Sequence, residues 1–222
     1  MSWTESEFGY QQQFHDYFIF FGKKTADLNK LKSLFPQLTF KTVQQTHSDI
    51  CVQDLFSNIN EQKADAHFTD DPNIALVVKT ADCMPILIAD ETQKRVLSIH
   101  AGWRGVENKI TSKSIDFAKL NSAQIFIGPY ILQKSFAVDL DVKELLLKSY
   151  NSAENLEKVF QQKDTKFYID LEKIVLTELG RLEIPMNFHF LSIDTVTNLE
   201  FNSYRRDRSQ SGRNLSFIAR LK

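Results

Sequence analysis

The sequence predicts an α/β (α+β) fold, a single domain over residues 1–222 with mixed β-sheets flanked by helices. Short apolar and β-branched runs recur along the chain. Between them lie stretches with apolar residues at helical spacing, without strict β-α-β alternation. No linker, low-complexity tract or repeat is visible, and the 7 glycines and 5 prolines are scattered. A chain of 222 residues that is 42% hydrophobic and 25% charged has material for an ordinary core.

Taken in order, "YFIFF" (Tyr17–Phe21) reads as a strand. "DLNKLKSLF" (Asp27–Phe35) reads as a helix with Asp27 as its N-cap. "LTFKTVQQTH" (Leu38–His47) alternates and runs to a histidine, and Ile50–Leu55 continues or re-pairs that strand. Asn73–Thr80 is β-branched and follows a proline. Ile86–Ala89 and Val96–Ile99 are short buried strands, with Cys83 just before the first and His100 closing the second. Val106–Leu120 fits an amphipathic helix of about four turns. Gln124–Gly128 is a strand stopped by Gly-Pro. Asp141–Tyr150 and Asp170–Gly180 are helices, the second closed by Gly180. Asn187–Val196 is a strand, and the tail holds a charged loop and a last strand.

The net charge of −1, from 27 basic and 28 acidic residues, argues against a general nucleic-acid binder and leaves room for a local basic patch. No apolar run approaches the ~20 residues that span a bilayer. The N-terminus lacks the basic and apolar regions of a secretory signal. Two cysteines make no disulfide framework, so a reducing cytoplasm is the expected compartment.

His47, Cys83 and His100 are each expected at a strand end, where distant residues meet along one sheet edge. Two His and one Cys form a ligand set of catalytic zinc, which keeps a fourth position open and lowers the pKa of bound water to about 7. Without a short ligand pair, spacing alone leaves three unrelated residues as the alternative. A further reading takes Cys83 as nucleophile and His100 as its base. Gly102 and Gly105 open a helix after a strand, either as an anion site with Arg104 gripping phosphate or as a plain turn. The four arginines of Ser203–Arg213 suit a phosphate or sugar clamp, or a solvated loop. Asp65 is a candidate acceptor for a histidine tautomer, or a turn residue. His15, His67, His189 and Cys51 receive no role.

The stretches "QQTHSDI", "ADAHFTD", "TADCMPILIAD", "SIHAGWRGV", "IGPYI", "FYIDL" and "NSYRRDRSQSGR" occur in this order. Together they resemble the laccase-domain family, first called multicopper polyphenol oxidases and later described as zinc-dependent purine nucleoside phosphorylases. The resemblance covers about residues 40 to 218. It implies a fold of intertwined α/β repeats and a metal held by His47, Cys83 and His100. It also implies phosphorolysis of adenosine, inosine and methylthioadenosine, with deamination of adenosine, so that purine nucleosides and phosphate are the partners.

Zinc suits this chain better than copper, because 5 histidines with one three-ligand cluster cannot furnish a multicopper oxidase. Asp82 is expected to orient water in deamination. Arg104, the Gly102–Gly105 turn and Arg205 are expected to hold phosphate. The chain departs from the family in the stretch "FFGKKTADLNKLKSLF" (Phe20–Phe35), which has only Gly22 where paired glycines are usual, and in lacking a cysteine before "SYRRD". Two rivals remain: a metal-independent hydrolase using Cys83 and His100, and a metal-binding module with reduced catalysis.

Overall fold

The structure is a computed structural model that describes residues 2–54, 59–150 and 156–222. In chain order the strands are β1 (Thr4–Glu5), β2 (Gly9–Phe14), β3 (Tyr17–Gly22), β4 (Thr39–Lys41), β5 (Cys51–Gln53), β6 (Ala66–Thr69), β7 (Ile74–Thr80), β8 (Met84–Asp90), β9 (Arg95–Ala101), β10 (Ala123–Ile127), β11 (Ala137–Val138), β12 (Phe160–Lys163), β13 (Lys166–Ile169), β14 (Met186–Phe190) and β15 (Asn214–Arg220). The helices are α1 (Leu28–Leu34), α2 (Trp103–Glu107), α3 (Ile110–Phe117), α4 (Leu140–Tyr150), α5 (Leu171–Leu179) and α6 (Tyr204–Asp207).

The first sheet has six strands in the order β1-β2-β3-β15-β7-β4, and the second has six in the order β14-β10-β8-β9-β6-β5. A three-stranded sheet, β11-β13-β12, lies apart. Both large sheets are mixed: β4 runs parallel to β7, β5 to β6 and β14 to β10, while the remaining pairs are antiparallel.

Period-2 alternation divides each strand between two cores. On β8, Leu87 and Ala89 face the first sheet, while Met84, Ile86 and Ile88 join the core beneath the helices. On β7, Leu76 and Val78 face the second sheet, and Ala75 and Val77 turn toward α1. The result is four layers: α1, the first sheet, the second sheet, and the helices α2 to α5. Coverage on both faces explains why β8 and β9 read as continuous apolar runs. On the α1 side, Phe217 packs among the rings of Phe18, Phe20, Phe35 and Phe40. No helix among the described residues is long and apolar enough to cross a membrane.

Several elements differ from the sequence expectation. The alternating stretch 38–47 is not one strand: β4 ends at Lys41, where Asn60 Oδ1 accepts from Thr42 N at 3.0 Å. His47 therefore sits in the following connection at φ +61°, not at a strand end. Leu55, the last residue of the expected strand 50–55, lies outside the described residues.

The expected helix over 106–120 is two helices. Lys109 stands at φ +60° between α2 and α3, and Glu178 Oε1 accepts from Ser112 N at 2.6 Å at the new start. The expected strand 187–196 ends at Phe190, and its remainder turns toward the site, where Tyr130 makes an isolated bridge to Asp194. Gly180 closes α5 with φ −61°, without using a left-handed conformation. The charged stretch 203–213 is not all loop: Ser203 accepts from Arg206 N and starts α6.

Candidate metal and substrate site

The chain passes repeatedly from one large sheet to the other, and the site is built where it crosses. The β4–β5 connection carries His47, the β7–β8 connection carries Asp82 and Cys83, and the β14–β15 connection carries Thr195 and α6. His100 lies next to the end of β9, in the same alternation as Val96, on the face toward the first sheet.

These crossings bring His47, Cys83 and His100 together, with one ligand atom from each lying within 4.8 Å of the others. Cys83 Sγ is 3.8 Å from His47 Nε2. The two imidazole rings stand edge to face with centroids 4.8 Å apart.

Asp65 positions both histidines. Its buried carboxylate accepts from His100 Nδ1 at 2.8 Å, which leaves Nε2 of that ring for the triad. The same carboxylate accepts from the backbone N–H groups of Thr46 (3.1 Å), His47 (3.0 Å) and Ser48 (2.6 Å). These bonds secure the turn that holds His47 at positive φ. Gln45 ties the turn to β7: its side-chain nitrogen donates to Lys79 O at 2.7 Å and its side-chain oxygen accepts from Lys79 N at 2.8 Å.

Burial works against a charged Cys83 thiolate, yet charge and hydrogen bonding from His100 and then His47 outweigh it and bring the thiol down to about 6. Burial likewise opposes a charged His100, but the Cys83 thiolate and the Asp65 carboxylate raise it to about 9. Asp65 is held well below the ordinary carboxylate range, because its bonds to His100 and Ser48 overcome the cost of burial. A soft thiolate and two imidazoles converging on one point, with a carboxylate behind one of them, are a donor set that fits a divalent transition metal.

Asp82, Arg104 and Arg205 lie around the same cavity as the triad. Both Asp82 carboxylate oxygens are engaged, with Thr195 and with the Arg205 backbone. At Gly102 a Cβ would lie 3.0 Å from Cys83 Sγ and 3.0 Å from His47 Cδ2, so this glycine makes room for the triad. At Gly105 a Cβ would point inward, 3.2 Å from Ile110 Cγ2 and 3.4 Å from Ser48 O. Neither glycine side faces open space, and α2 is a helix of only 5 residues. Arg104 lies over the Trp103 ring, 4.4 Å from its centroid. Arg205 lies over Phe136 and donates from one guanidinium nitrogen to Ser135 O and Ala137 O.

The triad opens into a cavity of about 810 Å³. Lys79, Arg104, Arg205, Arg208 and Arg213 line it, and Asp82 is the acidic residue on its wall. A concave site this cationic raises the local concentration of anions. Sequence reasoning missed Gln45, Lys79 and Thr195. Gln45 stands inside the "QQTH" stretch and had a visible position, whereas Thr195 carries no local signal.

A family model described as multi-copper polyphenol oxidoreductase laccase matches residues 25–221. A purine nucleoside phosphorylase of Haemophilus influenzae is 32% identical over 176 residues, 78% of this chain and 71% of the relative. One from Clostridium acetobutylicum is 30% identical over 200 residues, covering 86% of this chain and 81% of the relative. The fold is that of Bacillus licheniformis hypothetical protein YfiH, with a TM-score of 0.86 at 22% identity and 99% of each chain covered. YlmD of Geobacillus stearothermophilus gives a TM-score of 0.86 at 21% identity, covering 99% of this chain and 98% of that one.

Proposed function

The chain belongs to the multi-copper polyphenol oxidoreductase laccase family, and from that premise we propose that it is a zinc-dependent purine nucleoside phosphorylase. Its substrates are adenosine, inosine and methylthioadenosine, and it also deaminates adenosine. Relatives named purine nucleoside phosphorylase support the reaction class. The observation that carries the reading is the His47–Cys83–His100 group set beside a cationic cavity large enough for a nucleoside and a phosphate together.

In phosphorolysis a phosphate oxygen bonds to the anomeric carbon, the C–N glycosidic bond breaks, and its electron pair leaves with the purine, which takes up a proton. Lys79, Arg104 and Arg208 supply positive charge for the phosphate, and the Arg205 side chain adds charge from a fixed position. Trp103, Ile131, Phe136 and Leu171 supply apolar wall for the base. His47, Cys83 and His100 would hold the metal, and a zinc ion bound there supplies Lewis acidity. The group of candidate metal ligands found among the described residues is a single trio, which suits one zinc ion better than a copper cluster. A reducing cytoplasm is the compartment that suits the free thiols Cys51 and Cys83.

The rival cysteine-hydrolase reading draws on the lowered Cys83 thiol beside His100. Two measurements decide between them. Elemental analysis is expected to find one zinc per chain in the wild type and near-background zinc in soluble Cys83→Ala. Product analysis with adenosine is expected to give ribose-1-phosphate only when phosphate is present. Free ribose released equally fast without phosphate, or activity lost by alkylation while zinc stays bound, would overturn the proposal.

A further inference from the structure

Asp82 precedes the candidate ligand Cys83 and adopts φ +82°, a left-handed conformation that strains a residue with a side chain. Its side chain is buried, and both carboxylate oxygens are occupied. Oδ1 accepts from Thr195 Oγ1 at 2.7 Å, and Oδ2 accepts from the Arg205 backbone N–H at 2.5 Å. Its carbonyl accepts from Ile131 N at 2.9 Å. Thr195 is itself fully buried. Arg205, from inside α6, reaches across to the carbonyls of Ser135 and Ala137. One residue therefore joins the Cys83 turn to α6 and the cationic wall of the cavity.

We propose that Asp82 is a positioning residue, not a group that handles water or substrate: it locks Cys83 toward the metal point and holds α6 in register with it. The carboxylate oxygens are turned away from chemistry because both are committed to donors that fix the backbone. The left-handed turn aims the Cys83 side chain at His47 and His100, and the Arg205 N–H bond sets the distance from the metal point to the arginine row. This inference rests on His47, Cys83 and His100 holding the metal.

The test compares Asp82→Gly, Asp82→Asn and Thr195→Val with the full-length wild type. Glycine keeps the positive φ and loses the carboxylate. Asparagine tolerates the same φ and keeps one acceptor. Valine leaves the backbone alone and removes one donor. Zinc affinity, measured by competition with a chromophoric chelator, is expected to fall about tenfold or more in Asp82→Gly. Smaller losses are expected in the other two variants, each melting close to the wild type.

In zinc-saturated protein, KM for inorganic phosphate is expected to rise in Asp82→Gly by a larger factor than kcat falls. A folded Asp82→Gly that binds zinc like the wild type overturns the proposal. If Asp82→Gly does not fold, unchanged zinc affinity in Thr195→Val overturns it. Wild-type protein that takes up no zinc would instead sink the zinc assignment itself, so the two failures are distinguishable.

Discussion

Asp65 is the residue on which both candidate histidine ligands depend. It accepts from one imidazole and from three consecutive backbone N–H groups around the other histidine. Such a network is worth keeping only when complete, since each donor left unpaired in the interior costs roughly 1–3 kcal/mol. In Asp65→Asn one oxygen becomes an NH₂ facing N–H donors. Zinc affinity is therefore expected to fall by roughly 10–100-fold. The denaturation midpoint should fall as well. Chelator competition and urea titration check the pair, and a variant with wild-type zinc affinity would remove Asp65 from the site.

At the scale of elements, the site depends on two short connections more than on any strand. Gln45 mimics a strand partner by gripping both the N–H and the C=O of Lys79, beyond the point where β4 stops pairing with β7 at Lys41 and Leu76. The turn from β9 into α2 closes over the triad, and Gly102 is there because a side chain would meet Cys83 and His47 at once. Its φ of −76° is open to alanine, so Gly102→Ala carries no backbone strain. The added methyl is expected to push Cys83 and His47 apart and to weaken zinc binding, with little change in melting temperature. Gly105→Ala should act on packing against Ile110 and spare zinc. Zinc titration with thermal melts of both variants separates the roles. If Gly102→Ala kept its zinc and raised only KM for phosphate, the turn would be an anion cradle after all.

Across the whole molecule, the seam between the two large sheets sets buried polar residues such as Thr69, Ser98 and Ser216 among its apolar ones, and His67 is one of these that can titrate. It lies on β6 at 1% exposure, with Nε2 donating to Val77 O across the seam at 3.3 Å. Burial, only partly offset by that bond, lowers its pKa from 6.5 to about 4. The unfolded chain takes up the proton first, so stability is full above about pH 6.5 and drains away as the pH falls toward 4. A shift of this size corresponds to about 3 kcal/mol. His67→Asn keeps a donor for Val77 and does not titrate. Urea unfolding of the two proteins is expected to show a smaller stability loss for the variant across that window. Parallel curves would mean that His67 carries a proton inside the fold.

What the sequence determined by itself was local or periodic. Asp27 accepts from Lys30 N and starts α1 where expected, because a cap acts over three residues. The apolar runs of β8 and β9 are buried on both faces, because alternation acts over two. Cys83 and His100 could be singled out because they stand at the ends of those runs. What only the tertiary structure decided is how the layers bring such residues into contact. Asp82 finds its partners 113 and 123 residues further along, and Asp65 holds a turn 17 to 19 residues earlier and a ring 35 residues later. Hydrogen bonds to a buried carboxylate have no period and no sequence distance. They form where crossings between sheets place a donor within reach, so the triad's supports became visible only when the two sheets were packed together.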